Sequence, residues 1–220
     1  MGKKITLVHT TPVAVGPIND AFREIYPEAE VRNILDDRLL ADLQAAGGEF
    51  TSGLRRRLAK LIEYGETAGA EAILLTCNSY SQVALPIAEM VGVPFFRGDD
   101  ALLDAAVEVG ETIGLIATVP TALEYATGEL VTRGSAVGKK VSVVGRLRED
   151  AFAALGRGET DEHDRSLLES IREIEREVDV IALAQYSMAR VMPLIPDDLR
   201  VQVLSSPRTG VERIKAALEN

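Results

Sequence analysis

Short apolar runs alternate with longer amphipathic stretches along the whole chain. The runs are rich in β-branched residues and nearly unbroken, which is typical of strands buried on both faces of a parallel sheet. The intervening stretches, for example residues 52–68 and 161–176, have the apolar spacing of helices. This alternation predicts an α/β fold built from βαβ units. The predicted strands are residues 5–8, 31–35, 72–76, 93–96, 113–117, 141–144, 180–184 and 201–204.

An internal repeat relates the two halves of the chain. A shift of 108 residues places ITLVHTTP, which begins at Ile5, on IGLIATVP, which begins at Ile113, with four of eight positions identical. Buried βα units share apolar residues in general, but that similarity does not account for the aligned polar pair Thr10 and Thr118. The shift aligns residues 5–12 with 113–120, 72–79 with 180–187, and 93–96 with 201–204.

The repeat predicts two pseudo-symmetric lobes, each a roughly four-stranded parallel sheet flanked by helices. We assign residues 1–98 to lobe one and residues 99–206 to lobe two. The final helical stretch, residues 207–220, has no counterpart in the first half and is expected to return to lobe one. Ligands bind beyond the carboxyl ends of the strands in open parallel sheets, so two facing lobes are expected to enclose one pocket between their strand ends.

Polar, mostly uncharged side chains follow the predicted strands, and we expect them to bind the substrate. For the hydroxyls of Thr10 and Thr118, capping of the next turn and contact with a ligand are equally compatible with the pattern. Tyr186 is expected to pack in the interior or to act as a weak acid. The set comprises Thr10, Thr11, Cys77, Asn78 and Ser79 in lobe one, and Thr118, Thr121, Gln185, Tyr186, Ser187 and Ser206 in lobe two.

Cys77 is the strongest candidate for chemistry. The residues after it, Asn78 and Ser79, are good N-cap residues, and the N–H groups of a helix start favour an anion such as a carboxylate. The same location is expected to lower the pKa of the Cys77 thiol. The alternative is a small buried hydrophobe after a strand. A hydrolase nucleophile is not expected, because no His–Asp pair stands at the matching strand ends.

Composition and charge narrow the partners. The chain has 220 residues and a formal net charge of −10, and its only basic run, residues 55–57, is expected to lie on a solvated helix face. Neither nucleic acid nor an anionic membrane is therefore a predicted partner. No apolar run approaches the roughly 20 residues needed to span a bilayer, and we expect a cytoplasmic protein. The single cysteine excludes an internal disulfide, and with only two histidines no metal site is expected.

The two histidines are not predicted to be catalytic. His9 lies inside the first strand, where a hydrogen-bonded residue close to the core is expected. His163 precedes a helical stretch, and we expect a surface side chain there. Asp161 or Asp164 is expected to cap that helix, because aspartate is a preferred N-cap residue.

The segment LLTCNS, residues 74–79, resembles the aspartate/glutamate/hydantoin racemase superfamily. The resemblance implies two pseudo-symmetric α/β lobes, no cofactor and a possible homodimer. It also implies two cysteines, one in each lobe, that act on opposite faces of the substrate α-carbon. Cys77 corresponds to the first of these cysteines, and Gln185 stands at the position of the second. The similarity also includes HTTP at residues 9–12, IAT at 116–118, LAQYSM at 183–188 and LSSPR at 204–208.

Gln185 changes the implied chemistry, because an amide neither takes nor gives a proton near neutral pH. The resemblance implies a cofactor-independent enzyme that acts at the α-carbon of a small carboxylate, with Cys77 as acid and base and Gln185 orienting the substrate or a water. One alternative is a single-cysteine decarboxylase or lyase similar to the arylmalonate decarboxylases, although those enzymes keep the cysteine of the other lobe. The other is a non-catalytic protein that binds small carboxylates. Arg97 and Arg208 are equally compatible with binding a second carboxylate and with a surface role.

Overall fold

The computed structural model describes residues 2–219 and divides the chain into two compact units. Unit 1 contains the chain up to Gly98 together with the segment from Gly210 onward, and unit 2 runs from Asp99 to Thr209. Each unit contains one four-stranded parallel sheet with helices around it. The predicted α/β architecture, with one parallel sheet in each half, is confirmed. Among residues 2–219, no helix combines the length and the apolar character needed to cross a membrane.

The sheet of unit 1 has the strand order β2-β1-β3-β4. Its inner strands are therefore β1 and β3, and the segments after them stand side by side at the carboxyl edge. The strands are β1 (Lys4–His9), β2 (Glu30–Leu35), β3 (Ala72–Leu75) and β4 (Phe95–Arg97). The helices of this half are α1 (Val15–Ile25), α2 (Leu39–Ala45), α3 (Ser52–Thr67) and α4 (Ser81–Ala88), with 3-10 turns at Pro12–Ala14 and Asn78–Tyr80.

The sheet of unit 2 has the equivalent order, β6-β5-β7-β8. Its strands are β5 (Thr112–Ala117), β6 (Ser142–Leu147), β7 (Val180–Leu183) and β8 (Gln202–Ser205). The helices are α5 (Asp100–Val109), α6 (Pro120–Ala136), α7 (Glu149–Gly156) and α8 (Thr160–Ile174), with a 3-10 helix at Tyr186–Leu194. The last helix, α9 (Ser206–Glu219), begins in unit 2 and continues into unit 1.

The sequence repeat is a repeat of strand register. Ile5 pairs with Ala72 between β1 and β3, and Ile113 pairs with Val180 between β5 and β7, so both partners shift by 108 residues. The pairing of β3 with β4 shows the same shift in β7 and β8. The second strands, β2 and β6, are instead offset by 112 residues, because the stretch that leads to β6 is four residues longer.

The inner strands carry the core, whereas the edge strands are partly exposed. All residues of β3 and β7 are buried, as the unbroken apolar pattern predicts. The same expectation is wrong for β2 and β6, where exposed and half-buried residues alternate irregularly, and Leu35 is 43% exposed. The reason is their position: an edge strand has a neighbour on one side only, so part of its surface faces water.

The basic run in α3 is only partly solvated. Arg55 and Arg56 are exposed, as expected. Arg57 is half-buried and forms ion pairs with Asp36 and Asp42. For this residue the expectation of a solvated face is wrong, because α2 packs against α3 and brings both carboxylates to the guanidinium.

Candidate active site

Cys77 lies two residues beyond the end of β3, an inner strand of unit 1. Its backbone is extended, and the 3-10 turn Asn78–Tyr80 follows immediately. The side chain is only 7% exposed. The N–H of Tyr80 donates to the carbonyl oxygen of Cys77 at 3.1 Å, which closes the turn behind the thiol. A thiol at this edge stands where parallel sheets place their ligands.

Asn78 and Ser79 do not cap a helix, so the expectation that they act as N-cap residues is wrong. Both lie inside the 3-10 turn, Asn78 buried and Ser79 half-buried. The helix proper, α4, begins at Ser81, with Tyr80 at its N-cap and no side-chain capping bond there. The chain tightens into a 3-10 turn before the α-helix, which moves the start of the helix past both polar residues.

A buried polar network crosses the sheet of unit 1 beside Cys77. His9 is fully buried, and its Nδ1 lies 2.7 Å from the hydroxyl of Thr76 and its Nε2 2.8 Å from Oδ1 of Asn33. An amide oxygen can only accept, so Nε2 carries the proton and Nδ1 accepts from the Thr76 hydroxyl. Burial lowers the pKa of His9, against the effect of the bond to Asn33, which favours this neutral form. The prediction of a hydrogen-bonded histidine near the core is confirmed.

Thr10 and Thr11 end β1 in different environments. Thr10 is fully buried, and within residues 2–219 its hydroxyl has no hydrogen-bond partner. Its carbonyl oxygen accepts from the N–H of Leu40 at 3.2 Å. Thr11 is half-buried at the N-cap of the turn Pro12–Ala14 and makes no side-chain capping bond. A buried hydroxyl without a partner costs about 1–3 kcal/mol, so Thr10 is a candidate donor to a ligand rather than a cap.

In unit 2, Gln185 is tied to Thr118. Gln185 follows β7 at the position that Cys77 has after β3. Its Oε1 accepts from the main-chain N–H of Thr118 at 2.7 Å, and its Nε2 donates to the Thr118 hydroxyl at 2.9 Å. Thr118 is only 2% exposed. The Thr118 hydroxyl therefore meets a side-chain amide and does not cap the following helix, α6, whose N-cap is Val119.

The other polar residues predicted in lobe two lie at the starts of helices. Tyr186 and Ser187 are buried in the first turn of the 3-10 helix, and Thr121 is half-buried in the first turn of α6. Burial, and then the charges of Asp99 and Asp100, raise the pKa of Tyr186 well above its usual value, so its phenol stays protonated.

Ser206 is the first residue of α9 and is fully buried, and its hydroxyl lacks a hydrogen-bond partner among the described residues. The two arginines considered for a second carboxylate lie near these strand ends. Arg97 is half-buried at the end of β4, and Arg208 is exposed in the first turn of α9.

His163 is buried, and the prediction of a surface histidine is wrong. Its Nδ1 lies 2.8 Å from Oδ1 of Asp164, which also receives the Nε of Arg190 at 2.7 Å. Burial lowers the pKa of His163, although the bond to Asp164 acts in the opposite direction. Neither Asp161 nor Asp164 caps α8, whose N-cap is Glu159. Helix α8 packs against α7 and the 3-10 helix, and this packing covers the imidazole.

The sequence did not single out four residues that support these strand ends. Thr76 and Asn33 hold His9, Tyr80 closes the turn after Cys77, and Arg190 pairs with Asp164. Thr76 and Tyr80 lie within three residues of the cysteine, which was the available signal. Among residues 2–219, no group of three or more His, Cys, Asp or Glu side chains is arranged to hold a metal ion.

Two four-stranded parallel sheets of equivalent order, with a single thiol beyond the end of β3, define a repeated α/β protein of the racemase class. The sequence model of the Asp/Glu/hydantoin racemase family matches residues 18–214. The chain therefore belongs to this family. No curated protein matches it at a significant level.

Solved racemases have the same fold. Aspartate racemase from Picrophilus torridus superposes with a TM-score of 0.75 at 19% identity, covering 98% of this chain and 94% of that one. Allantoin racemase from Klebsiella pneumoniae gives a TM-score of 0.69 at 16% identity over 99% and 88% of the two chains. Glutamate racemase from Francisella tularensis, in complex with D-glutamate, gives 0.74 at 13% over 99% and 81%. At these identities the likeness establishes the fold alone.

Proposed function

We propose that this chain is a cofactor-independent enzyme that exchanges a proton at the α-carbon of a small carboxylate, with Cys77 as acid and base. The observation that carries the proposal is the location of Cys77 beyond the carboxyl end of an inner strand, directly before the turn Asn78–Tyr80. Membership of the racemase family supports the reaction class. The substrate class, an amino acid or a related acid, follows the names of the racemases that share the fold.

The proposed step needs a thiolate and donors for the developing charge. The Cys77 thiolate takes the α-proton, and the electron pair of the C–H bond moves into the enediolate of the substrate carboxylate. The first N–H groups of a helix point toward its start, so the turn after Cys77 and the start of α4 favour an anion there. The buried hydroxyl of Thr10 is a further donor, because ligand binding would give it the partner that it lacks within residues 2–219.

Gln185 is proposed to orient and not to transfer protons. Its amide has no proton to give near neutral pH, and both of its polar atoms already bond to Thr118. Thr121, Ser187 and Ser206 are proposed as additional polar contacts, and Tyr186 stays a packed, protonated phenol. With Cys77 as the one acid and base, a proton leaves and returns on the same face. The expected signature is isotope exchange with retained configuration.

The bonding of Gln185 to Thr118 also favours a second function, a one-sided decarboxylase or lyase. In that reaction the C–C bond to a carboxylate breaks and carbon dioxide leaves with the substrate as an enediolate. The Cys77 thiol then gives its proton to the α-carbon and is reprotonated by solvent. Such a reaction needs one acid only, which agrees with an amide at position 185. Arg97 and Arg208 are proposed partners for a second carboxylate in either reaction.

Proton NMR in heavy water tests both functions. The panel is aspartate, glutamate, hydantoins, 2-hydroxy acids and substituted malonates, incubated with the wild type, Cys77→Ser and Cys77→Ala. We expect deuterium at an α-carbon with the wild type alone, and the melting temperatures of the variants verify that they are folded. Chiral analysis then separates the functions: labelled starting material of retained configuration indicates proton exchange, and a single labelled enantiomer with loss of carbon dioxide indicates the decarboxylase.

A binding protein gives a different result. A panel member would then raise the melting temperature, the rise would persist in Cys77→Ser, and no deuterium would enter any α-carbon. That combination contradicts both enzymatic proposals. A cytoplasmic location and a homodimer remain parts of the proposal, and gel filtration with light scattering checks the dimer.

A further inference from the structure

The start of α2 contacts the two polar strand ends of unit 1 through neighbouring residues. The N–H of Leu40 donates to the carbonyl oxygen of Thr10 at 3.2 Å. The carbonyl oxygen of Leu39 accepts from the Tyr80 hydroxyl at 2.8 Å, in a buried hydrogen bond. Both leucines are themselves buried. One helical start thus holds the backbone at Thr10 and the turn that follows Cys77.

Arg57 of α3 fixes this helical start in place. Its Nε and Nη2 bond to the two carboxylate oxygens of Asp36, at 2.9 and 2.6 Å. Its Nη1 bonds to Asp42 at 2.6 Å. Asp36 precedes α2 and Asp42 lies within it, so the guanidinium holds the helix at two points. Such a planar, two-sided arrangement is specific to arginine, because an ammonium group cannot reproduce its geometry.

Tyr80 connects this element to the cysteine. It is fully buried, its ring packs edge-on against Phe50 at 5.2 Å, and its N–H bonds to the carbonyl oxygen of Cys77. We propose that Tyr80 is a positioning residue for Cys77: its hydroxyl ties the turn Asn78–Tyr80 to α2 and thereby holds the thiol in one orientation to the N–H groups after it. The proposal rests on the proposed function of Cys77.

The charge state of Tyr80 supports this role. Burial, and then the neighbouring Cys77, raise the pKa of Tyr80 far above its usual value. The phenol therefore keeps its proton through the working range of a thiolate and donates to Leu39 throughout. If the hydroxyl is removed, the carbonyl of Leu39 loses its donor and the turn after Cys77 gains freedom. The N–H dipoles are then less well aligned on the sulfur, so the thiolate is less stabilised.

The test uses the single cysteine of the chain. Iodoacetamide alkylates only the thiolate of Cys77, and the rate against pH gives the midpoint of its ionisation without any substrate. We expect Tyr80→Phe to move this midpoint upward by about half a unit, which lowers the rate roughly threefold at a fixed pH below it. Tyr26→Phe is the matched control, because Tyr26 is also a buried tyrosine of unit 1 and should keep the wild-type midpoint.

A second variant acts at the far end of the same connection. Arg57→Lys keeps the charge but loses the two-sided contact with Asp36, and we expect a smaller upward shift of the midpoint. Melting temperatures verify that each variant is folded during alkylation, and Arg57→Lys decides the question if Tyr80→Phe does not fold. A midpoint equal to that of the wild type in the folded variant would overturn the proposal.

Failure of the positioning role and failure of the proposed function are distinguishable. The alkylation profile depends on Cys77 and its surroundings only, whereas the proposed function is judged by isotope exchange in Cys77→Ser. Where a substrate is found, the positioning role also predicts that Tyr80→Phe lowers kcat severalfold with little change in KM, because the change affects the acid/base and not the binding groups.

Discussion

The amide of Gln185 makes two hydrogen bonds with Thr118, one to its main-chain N–H and one to its hydroxyl. Both residues lie just beyond β5 and β7, where Ile116 pairs with Leu183 in register. The equivalent residues of unit 1 are Thr10 and Cys77. There the threonine hydroxyl has no partner within residues 2–219 and a thiol stands in place of the amide. The repeat thus pairs a strand end with a candidate acid/base and a strand end whose polar groups are satisfied internally.

Removal of the Gln185 amide is expected to destabilise the fold. In Gln185→Ala the main-chain N–H of Thr118, a residue that is 2% exposed, loses its acceptor, and the free energy of unfolding should fall by about 1–3 kcal/mol. Urea unfolding measures this change. Gln202→Ala is the control, because Gln202 is exposed in the edge strand β8 and should change stability by less than about 0.5 kcal/mol. Equal stabilities of the two variants would contradict a structural role for Gln185.

Introduction of a second thiol is expected to change the stereochemistry of exchange. In the family resemblance, position 185 carries the second cysteine, so Gln185→Cys should allow a proton to be given from the other face. With a substrate in heavy water, the wild type should label one enantiomer, and the variant should label both. Chiral chromatography of the labelled product is the measurement. Gln185→Ser, which adds a hydroxyl of similar size without an acidic thiol, should behave as the wild type does.

The ion pair of Arg190 with Asp164 is expected to stabilise unit 2. Asp164 is 7% exposed, so Arg190→Leu leaves a buried carboxylate without its cation. Because Arg190 itself is about one-third exposed, the expected loss is roughly 1–2 kcal/mol, below that of a fully buried pair. Arg165→Leu is a suitable control, since Arg165 is exposed on the same helix, α8. Thermal unfolding should show a clear decrease in the first variant and almost none in the second.

Both buried histidines should make stability depend on pH. Burial lowers the pKa of His9 and of His163 in the folded state, so below the unfolded value near 6.5 the unfolded chain binds more protons. Their contribution is fully present above that pH and is lost as the pH falls, by up to about 1.4 kcal/mol per unit for each imidazole. Urea unfolding at pH 7.5, 6.5 and 5.5 measures the slope.

A matched variant separates the contribution of one histidine. His163→Gln removes a titrating group in unit 2, so the loss of stability between pH 6.5 and 5.5 should become shallower than in the wild type. Exposed carboxylates titrate at lower pH and do not alter this window. An unchanged slope would show that the imidazole of His163 binds protons equally well in the folded and unfolded states.

Two glycines in helices should respond in opposite ways to alanine. A Cβ at Gly65 would lie 2.9 Å from Cγ2 of Thr6, a buried residue of β1, so Gly65→Ala should cost about 1–3 kcal/mol. A Cβ at Gly128, in the interior of α6, would meet no described atom within 4 Å. Gly128→Ala should therefore gain up to about 1 kcal/mol from helix propensity. Equilibrium unfolding of both variants checks the close contact between α3 and β1.

The hydrophobic pattern by itself determined the strands, their parallel arrangement and the repeat. Burial on both faces leaves unbroken apolar runs, and these are visible locally at β3 and β7. The location of Cys77 beyond a strand end also followed from the pattern. The pattern did not reveal that β2 and β6 are edge strands, because strand order depends on which segments pair across the sheet.

Only the tertiary structure decided the partners of the polar side chains. The surroundings of His163 are polar along the sequence, yet helix packing buries it and gives it Asp164 as a partner. Thr118 and Gln185 are 67 positions apart and meet because their strands are neighbours. Tyr80 reaches Leu39 across 41 positions. Local sequence sets which residues can hydrogen-bond, whereas the distances and directions that select the bonds arise only when strands and helices pack together.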